Sequence, residues 1–161
     1  MIPTHRHLQY AAGYLELGML EEASEELEMI RESEALSADV MRIRIGLYHQ
    51  TKNWDLLVVV ASALTRLAPN EDQGWISWAY ATRRLQGVSE AQKVLLRAVP
   101  LRGDTCAVLH YNLACYACLL GHIEEAKSRL STACKMDPQF KATALDDPDL
   151  ETMWHEIPNI K

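Results

Sequence analysis

Set in register, Ala23, Leu57, Ala91 and Ala126 show that this 161-residue chain repeats itself at spacings of 34, 34 and 35 residues. That period constrains the fold more than any other feature, because so short a unit cannot bury its apolar face alone and must stack on its neighbours. A second marker agrees. Pro69 and Pro138, each closing a segment after an apolar run, stand 69 residues apart. A short turn precedes each registered residue: Leu17-Gly18-Met19-Leu20, Thr51-Lys52-Asn53-Trp54, Gln86-Gly87-Val88 and Leu120-Gly121-His122-Ile123.

Between these landmarks the apolar residues recur at helical spacing. In the last repeat Leu109, Leu113, Tyr116 and Leu120 make one stripe, and Ile123, Ala126, Leu130 and Ala133 make the next. Glycine ends the first helix without a Cβ penalty, and Asp137-Pro138 ends the second. Each repeat therefore reads as helix, tight turn, helix. The run Leu56 to Val60 is rich in β-formers, yet it falls in register with the second helix of its repeat, and the period overrides propensity there. The expected fold is all-α: a single domain over residues 1–161, with hairpins at about 4–37, 38–71, 72–106 and 107–138.

These residues resemble the tetratricopeptide repeat (TPR). The fourth repeat is the closest, with His110, Leu113-Ala114, Gly121, Ile123, Ala126, Leu130, Ala133 and Asp137-Pro138. The third supplies Trp75, Trp78-Ala79, Ala91, Leu95 and Ala98. The first supplies Tyr10-Ala11, Tyr14, Gly18, Ala23 and Leu27, with Ala35 where proline would stand. The second diverges most: it keeps Tyr48, Trp54, Ala61, Leu64 and Pro69, but has Arg44-Ile45 and Leu57 where a Leu-small pair and alanine are expected. The resemblance covers roughly residues 4–138 and implies a right-handed α-α superhelix of four hairpins. It speaks to fold far more than to function.

Residues 139–161 follow another pattern. Phe140 to Leu145 reads as a turn or two of helix. Asp146-Asp147-Pro148 then offers a carboxylate N-cap and a proline suited to the first helical position. A last helix over residues 150–157 would present Leu150, Met153, Trp154 and Ile157 to the core, making this segment the solenoid's C-terminal cap.

Composition narrows the function. Hydrophobic residues at 48% suffice for a core, and no apolar run approaches the roughly 20 residues of a membrane span. A net charge of -6 argues against coating nucleic acid. Residues 1–37 alone carry eight Glu against Arg6 and Arg31, whereas the middle of the chain is slightly basic. The N-terminal residues lack the apolar stretch of a secretory signal, so the expected location is cytoplasmic.

Cys106, Cys115, Cys118 and Cys134 are read as reduced packing residues. Cys115-x-x-Cys118 lies within a helix rather than at its N-terminus, where a redox pair needs its first thiol. Cys106, Cys115 and Cys118 with His110 fall around one helix at angles awkward for a tetrahedral metal site. The histidines are scattered, and Gly-x-Ser-x-Gly, His-Glu-x-x-His and a Gly-rich phosphate loop are all missing. No enzyme, cofactor or metal is expected.

The TPR resemblance implies that the first helix of each hairpin lines a concave groove that takes up peptides. Register then assigns Arg42, His49, Tyr80, Arg83, Arg84 and Tyr111 to a basic, aromatic middle of that groove. The sites that clamp the tail of heat-shock chaperones in one subtype hold Leu8, Arg42, Ile76 and Tyr111, then Ala12, Gly46, Tyr80 and Cys115. Only Asn112 fits that clamp. The expectation is therefore a protein or peptide partner with an acidic segment or C-terminal carboxylate, gripped by the guanidinium forks. In the competing arrangement Asp39 and Glu71 or Asp72 neutralise the arginines. Two other readings stand beside the groove: a homodimer or homo-oligomeric scaffold pairing the acidic first repeat with a neighbour's basic middle, and a thiol or metal protein using the cysteines.

Overall fold

The two stripes of each repeat become two helices in the computed structural model, which describes residues 2–161. Nine α-helices follow one another among the described residues: α1 (Thr4–Glu16), α2 (Leu20–Glu28), α3 (Ala38–Gln50), α4 (Trp54–Leu67), α5 (Asp72–Gln86), α6 (Val88–Arg102), α7 (Ala107–Leu119), α8 (Ile123–Met136) and α9 (Gln139–Asp146). Two short 3-10 helices, Pro148–Met153 and Ile157–Asn159, complete the chain, and no strand occurs among these residues. The β-prone run lies inside α4, as the period requires.

The period is written in the core. Ala11, Ile45, Ala79 and Ala114 of the first helices are all buried, at the same spacing as the registered residues. Along the second helices three further rows are buried: Ala23, Leu57, Ala91 and Ala126; Leu27, Ala61, Leu95 and Leu130; Ile30 (just past the end of α2), Leu64, Ala98 and Ala133. Alanine recurs in these rows because the distance between packed helices is set by the side chains at the contact. Where leucine replaces it, full burial stabilises by about 1.5–3 kcal/mol.

Every turn between paired helices contains one residue in the left-handed region: Gly18 (φ 73°), Lys52 (φ 55°), Gly87 (φ 97°) and Gly121 (φ 81°). Three are glycine, for which the conformation costs little. Lys52 holds the same position with a Cβ, and its hairpin carries that strain. The third turn is also compressed: α5 runs on to Gln86 and only Gly87 separates it from α6, where the other turns use three residues.

The chain divides into two compact units, one ending at Ala81 and the other spanning Thr82–Lys161. In the first, α1 packs on α2 and α3, α2 on α3, and α3 on α4. Ala11, Ala23, Leu27, Val40 and Leu47 form one core cluster, and Met41, Ile45, Leu57, Ala61 and Leu64 form the next. Helix α2 is the shortest of the second helices. After it residues 29–37 run in turns until Ser37 caps α3, accepting a hydrogen bond from the Val40 amide at 3.4 Å.

In the second unit α7 packs against α6, α8 and the Pro148–Met153 segment. Its residues from Leu113 to Cys118 are all buried, as expected of a helix apolar on every side. Helix α9 packs on α8. Beyond it the sequence led to one helix over 150–157, and the structure instead holds two 3-10 turns. Pro148 and Pro158 lack the N–H that a continuous ladder requires. The amides of Leu150, Trp154, Glu156 and Asn159 bond three residues back instead. The burial expected of this segment is nevertheless met: Leu150, Met153 and Ile157 are fully buried and Trp154 is half-buried.

The turns and the tail can each be tested by substitution or deletion. Lys52→Gly should raise the thermal midpoint, with a gain up to about 1 kcal/mol, whereas Gly121→Ala should lower stability by about 1 kcal/mol. Open space surrounds a Cβ at position 121, so the loss there is conformational. Removing residues 139–161 uncovers the faces of α7 and α8 that the tail now packs on, Tyr111 among them, and should give a protein that aggregates on light scattering.

Candidate protein-interaction surface

In the N-terminal unit the predicted cation Arg42 is already engaged. Its Nε donates to Glu71 Oε2 at 2.9 Å and its Nη2 to Oε1 at 2.6 Å, a forked grip on one carboxylate, while Nη1 donates to Asp39. The hydrogen bond from Arg42 holds the Glu71 carboxyl below its ordinary range. Gln73 of α5 donates to the Arg42 carbonyl at 3.3 Å.

Two turns along α3 stands His49, exposed, with its ring 4.9 Å from that of Tyr80. Trp54 at the start of α4 completes a triangle, 5.6 Å from Tyr80 and 6.0 Å from His49 between ring centres. The edge-on contacts of Trp54 are the geometry that aromatic quadrupoles favour. Asn53 fixes the entry of α4 by accepting from the Leu56 amide at 3.4 Å. Arg42 and His49 thus share α3, and the His49 ring meets those of Trp54 and Tyr80.

In the C-terminal unit the predicted groove residues are covered by the chain's own tail. Arg83 donates to both oxygens of Asp149, at 2.5 and 2.9 Å, and its guanidinium carbon lies 5.6 Å over the Tyr116 ring. Tyr111 is buried, stacked on Phe140 at 4.6 Å between ring centres, and donates its hydroxyl to Asp147 at 2.7 Å. Asp147 also accepts from the Asp149 amide at 2.9 Å and from the Cys115 thiol at 3.7 Å, and its backbone carbonyl accepts from the Trp154 indole. Cys118 lies 3.4 Å from the Thr152 hydroxyl. Arg84 sits exposed on the last turn of α5. The expectation of cations with few carboxylates nearby is corrected at Arg42 and Arg83, because acids 29 and 66 residues away in sequence fold onto them.

The thiols follow the packing reading. Burial, reinforced by Asp147, pushes the Cys115 thiol far above its usual range, and burial also raises Cys134. Among the described residues the one grouping of potential metal ligands is Cys115 with Asp147 and Asp149, not the cysteine–histidine set considered from sequence. Its carboxylates already accept from Tyr111 and Arg83. His110 is structural as well: its Nε2 lies 2.8 Å from the Gly103 carbonyl, which can only accept, so that nitrogen carries the proton.

Solved structures place this architecture. The chain aligns with MamA AMB-1 at a TM-score of 0.70 and 14% identity, covering 96% of this chain and 82% of that one. It aligns with TTC0263, a thermophilic TPR protein in Thermus thermophilus, at a TM-score of 0.65 and 15% identity, covering 97% and 81%. This chain has the TPR fold. MamA MSR-1 gives 0.68 at 14% identity, covering 96% and 87%. No family model matches the sequence, and no curated protein matches it either.

Tail residues therefore overlie α7. Sequence reasoning read Phe140 and Asp147 as parts of a cap, but did not tie Asp147, Asp149 or Thr152 to Tyr111, Arg83 or Cys118. The Asp-Pro pair marks a cap locally, but nothing local ties it to Tyr111. Asp147→Ala removes a cap and leaves the Tyr111 hydroxyl unpaired, so it should cost about 2–3 kcal/mol in chemical denaturation. Cys115 should stay unmodified by iodoacetamide near pH 8 until the protein is unfolded, as read by peptide mass spectrometry.

Proposed function

We propose that residues 1–161 act as a single, non-catalytic interaction domain that binds a peptide segment of a partner protein on the α3–α5 face of the N-terminal unit. The observation that carries this reading is the His49–Trp54–Tyr80 cluster beside Arg42, where rings remain partly exposed. Aromatic side chains give large contact area at small entropic cost, and Tyr, Trp and Arg dominate binding energy at interfaces. Arg83 and Tyr111 leave this reading, because the tail already engages both. Arg84 belongs to the other unit and is not part of this face.

An acidic partner segment would bind by exchanging its carboxylate for Glu71 or Asp39 on Arg42, not by meeting a bare cation. That exchange is close to neutral in contact energy, so specificity falls to the rings. No helix is long and apolar enough to cross a membrane. The cytoplasm is the compartment this reading assumes.

The test compares partner capture by the wild-type chain with capture by Tyr80→Ala and His49→Ala. Each variant should weaken binding by about tenfold or more while the helical circular dichroism signal stays intact. Undiminished capture by folded variants would remove the α3–α5 face from consideration.

A further inference from the structure

The second helices of the four hairpins differ on their exposed side. Helix α2 shows Glu21, Glu25 and Glu28 there, α6 shows Lys93 and Arg97, and α8 shows Glu124 and Lys135. Helix α4 departs from this. Its exposed Leu56, Val59 and Leu67 join half-buried Val60 and Ala63 at helical spacing, bordered along the Val59 edge by exposed Asp55 and Arg66. Val59 is 61% exposed and Leu67 57%, values at odds with a helix whose other face already supplies the core through Leu57, Ala61 and Leu64. An amphipathic helix carries polar residues on the side away from the core. This one carries a second apolar face.

The stripe spans three turns, about 16 Å, and a depression lies at each end. At the Leu56 end Leu20, Leu47 and Tyr48 line the floor, and Glu21 and Glu28 of α2 stand along one wall. At the other end Leu36, Met41, Ala63 and Leu67 line a smaller hollow with Arg66 at its edge, so the cations of an occupant belong at the α2 end. The flanking charge is lopsided, since residues 1–37 hold eight Glu against two Arg. We infer that the exposed face of α4 docks an amphipathic helix of a partner protein, its apolar side on Leu56, Val59 and Leu67 and its lysines or arginines against the carboxylates of α2. Electrostatic complementarity selects the occupant. A second copy of this chain fits poorly, because a two-fold contact through α4 would bring two acidic first repeats together.

The probe is a fluorescently labelled 18-residue helix of leucine and lysine with all leucines on one face, used with the full chain. Controls are a scrambled peptide of the same composition and a leucine–glutamate peptide of the same pattern. The patterned lysine peptide should bind, with amide shifts in a nitrogen-15 spectrum centred on residues 56–67, and the controls should bind at least about tenfold more weakly. Val59→Ser with Leu67→Ser should cut affinity about tenfold. Glu21→Gln with Glu28→Gln should cut it severalfold and flatten its salt dependence. Tyr80→Ala should leave it unchanged, which separates this face from the α3–α5 face. Equal binding of the scrambled peptide, shifts elsewhere, or unaltered affinity in the folded serine variant would overturn the inference. So would a concentration-dependent dimer that the serine variant abolishes, which would assign the face to a second copy.

Discussion

Close approach of helices at a few buried positions is the constraint on which the rest of this structure depends. Four rows of alanine, leucine and isoleucine, one from the first helices and three along the second, are buried at a single period. Small side chains in these rows let paired backbones draw together, and the larger ones fill the space that remains. Once those contacts are set, the direction of every turn follows, and each turn meets the geometry with a left-handed residue. Second-helix outer faces, freed from packing duty, can then carry charge, or in α4 an apolar stripe.

The tail obeys different physics. Its anchoring is polar and centred on Asp147, which takes hydrogen bonds from an amide, a phenol and a thiol. Around that hub Leu150, Met153 and Ile157 exclude water, so each polar bond is made where leaving it unmade would be costly. Lys127 adds an ion pair to Glu156 at the half-buried margin of the tail, near solvent, where such pairs contribute little to stability. Burial and the hub, rather than surface charge, hold the segment in place.

The sequence revealed most where structure is local. Helical hairpins, their turns and the helical nature of Leu56–Val60 follow from periodicity within a repeat, because residues three and four apart share a helix face. The extra turn residue gained by α5 and the 3-10 form of the last segment were hidden, since each depends on how chain length and prolines are fitted to a packed neighbour. The site was legible only in outline. Register assigned Arg42, His49 and Tyr80 to one face, and of these the structure brings the His49 and Tyr80 rings together. The competing arrangement in which Asp39 and Glu71 neutralise Arg42 is the one the structure holds, whereas the Arg83–Asp149 pair was not readable, because it closes across 66 residues and no periodicity records it.

The two ends of the array are not equivalent, and that bears on how such a chain can be lengthened. A fifth hairpin added after Pro138 would need the packing surface of α8 that α9 now occupies, together with the α7 face now held by Asp147, Leu150 and Met153. Repeat grafting at this end therefore means excising the tail and rebuilding it beyond the insertion. A fusion placed after the exposed Lys161 leaves every hairpin contact as it stands. The tail thus holds, by packing, the α7 and α8 surface on which a further hairpin would have to dock.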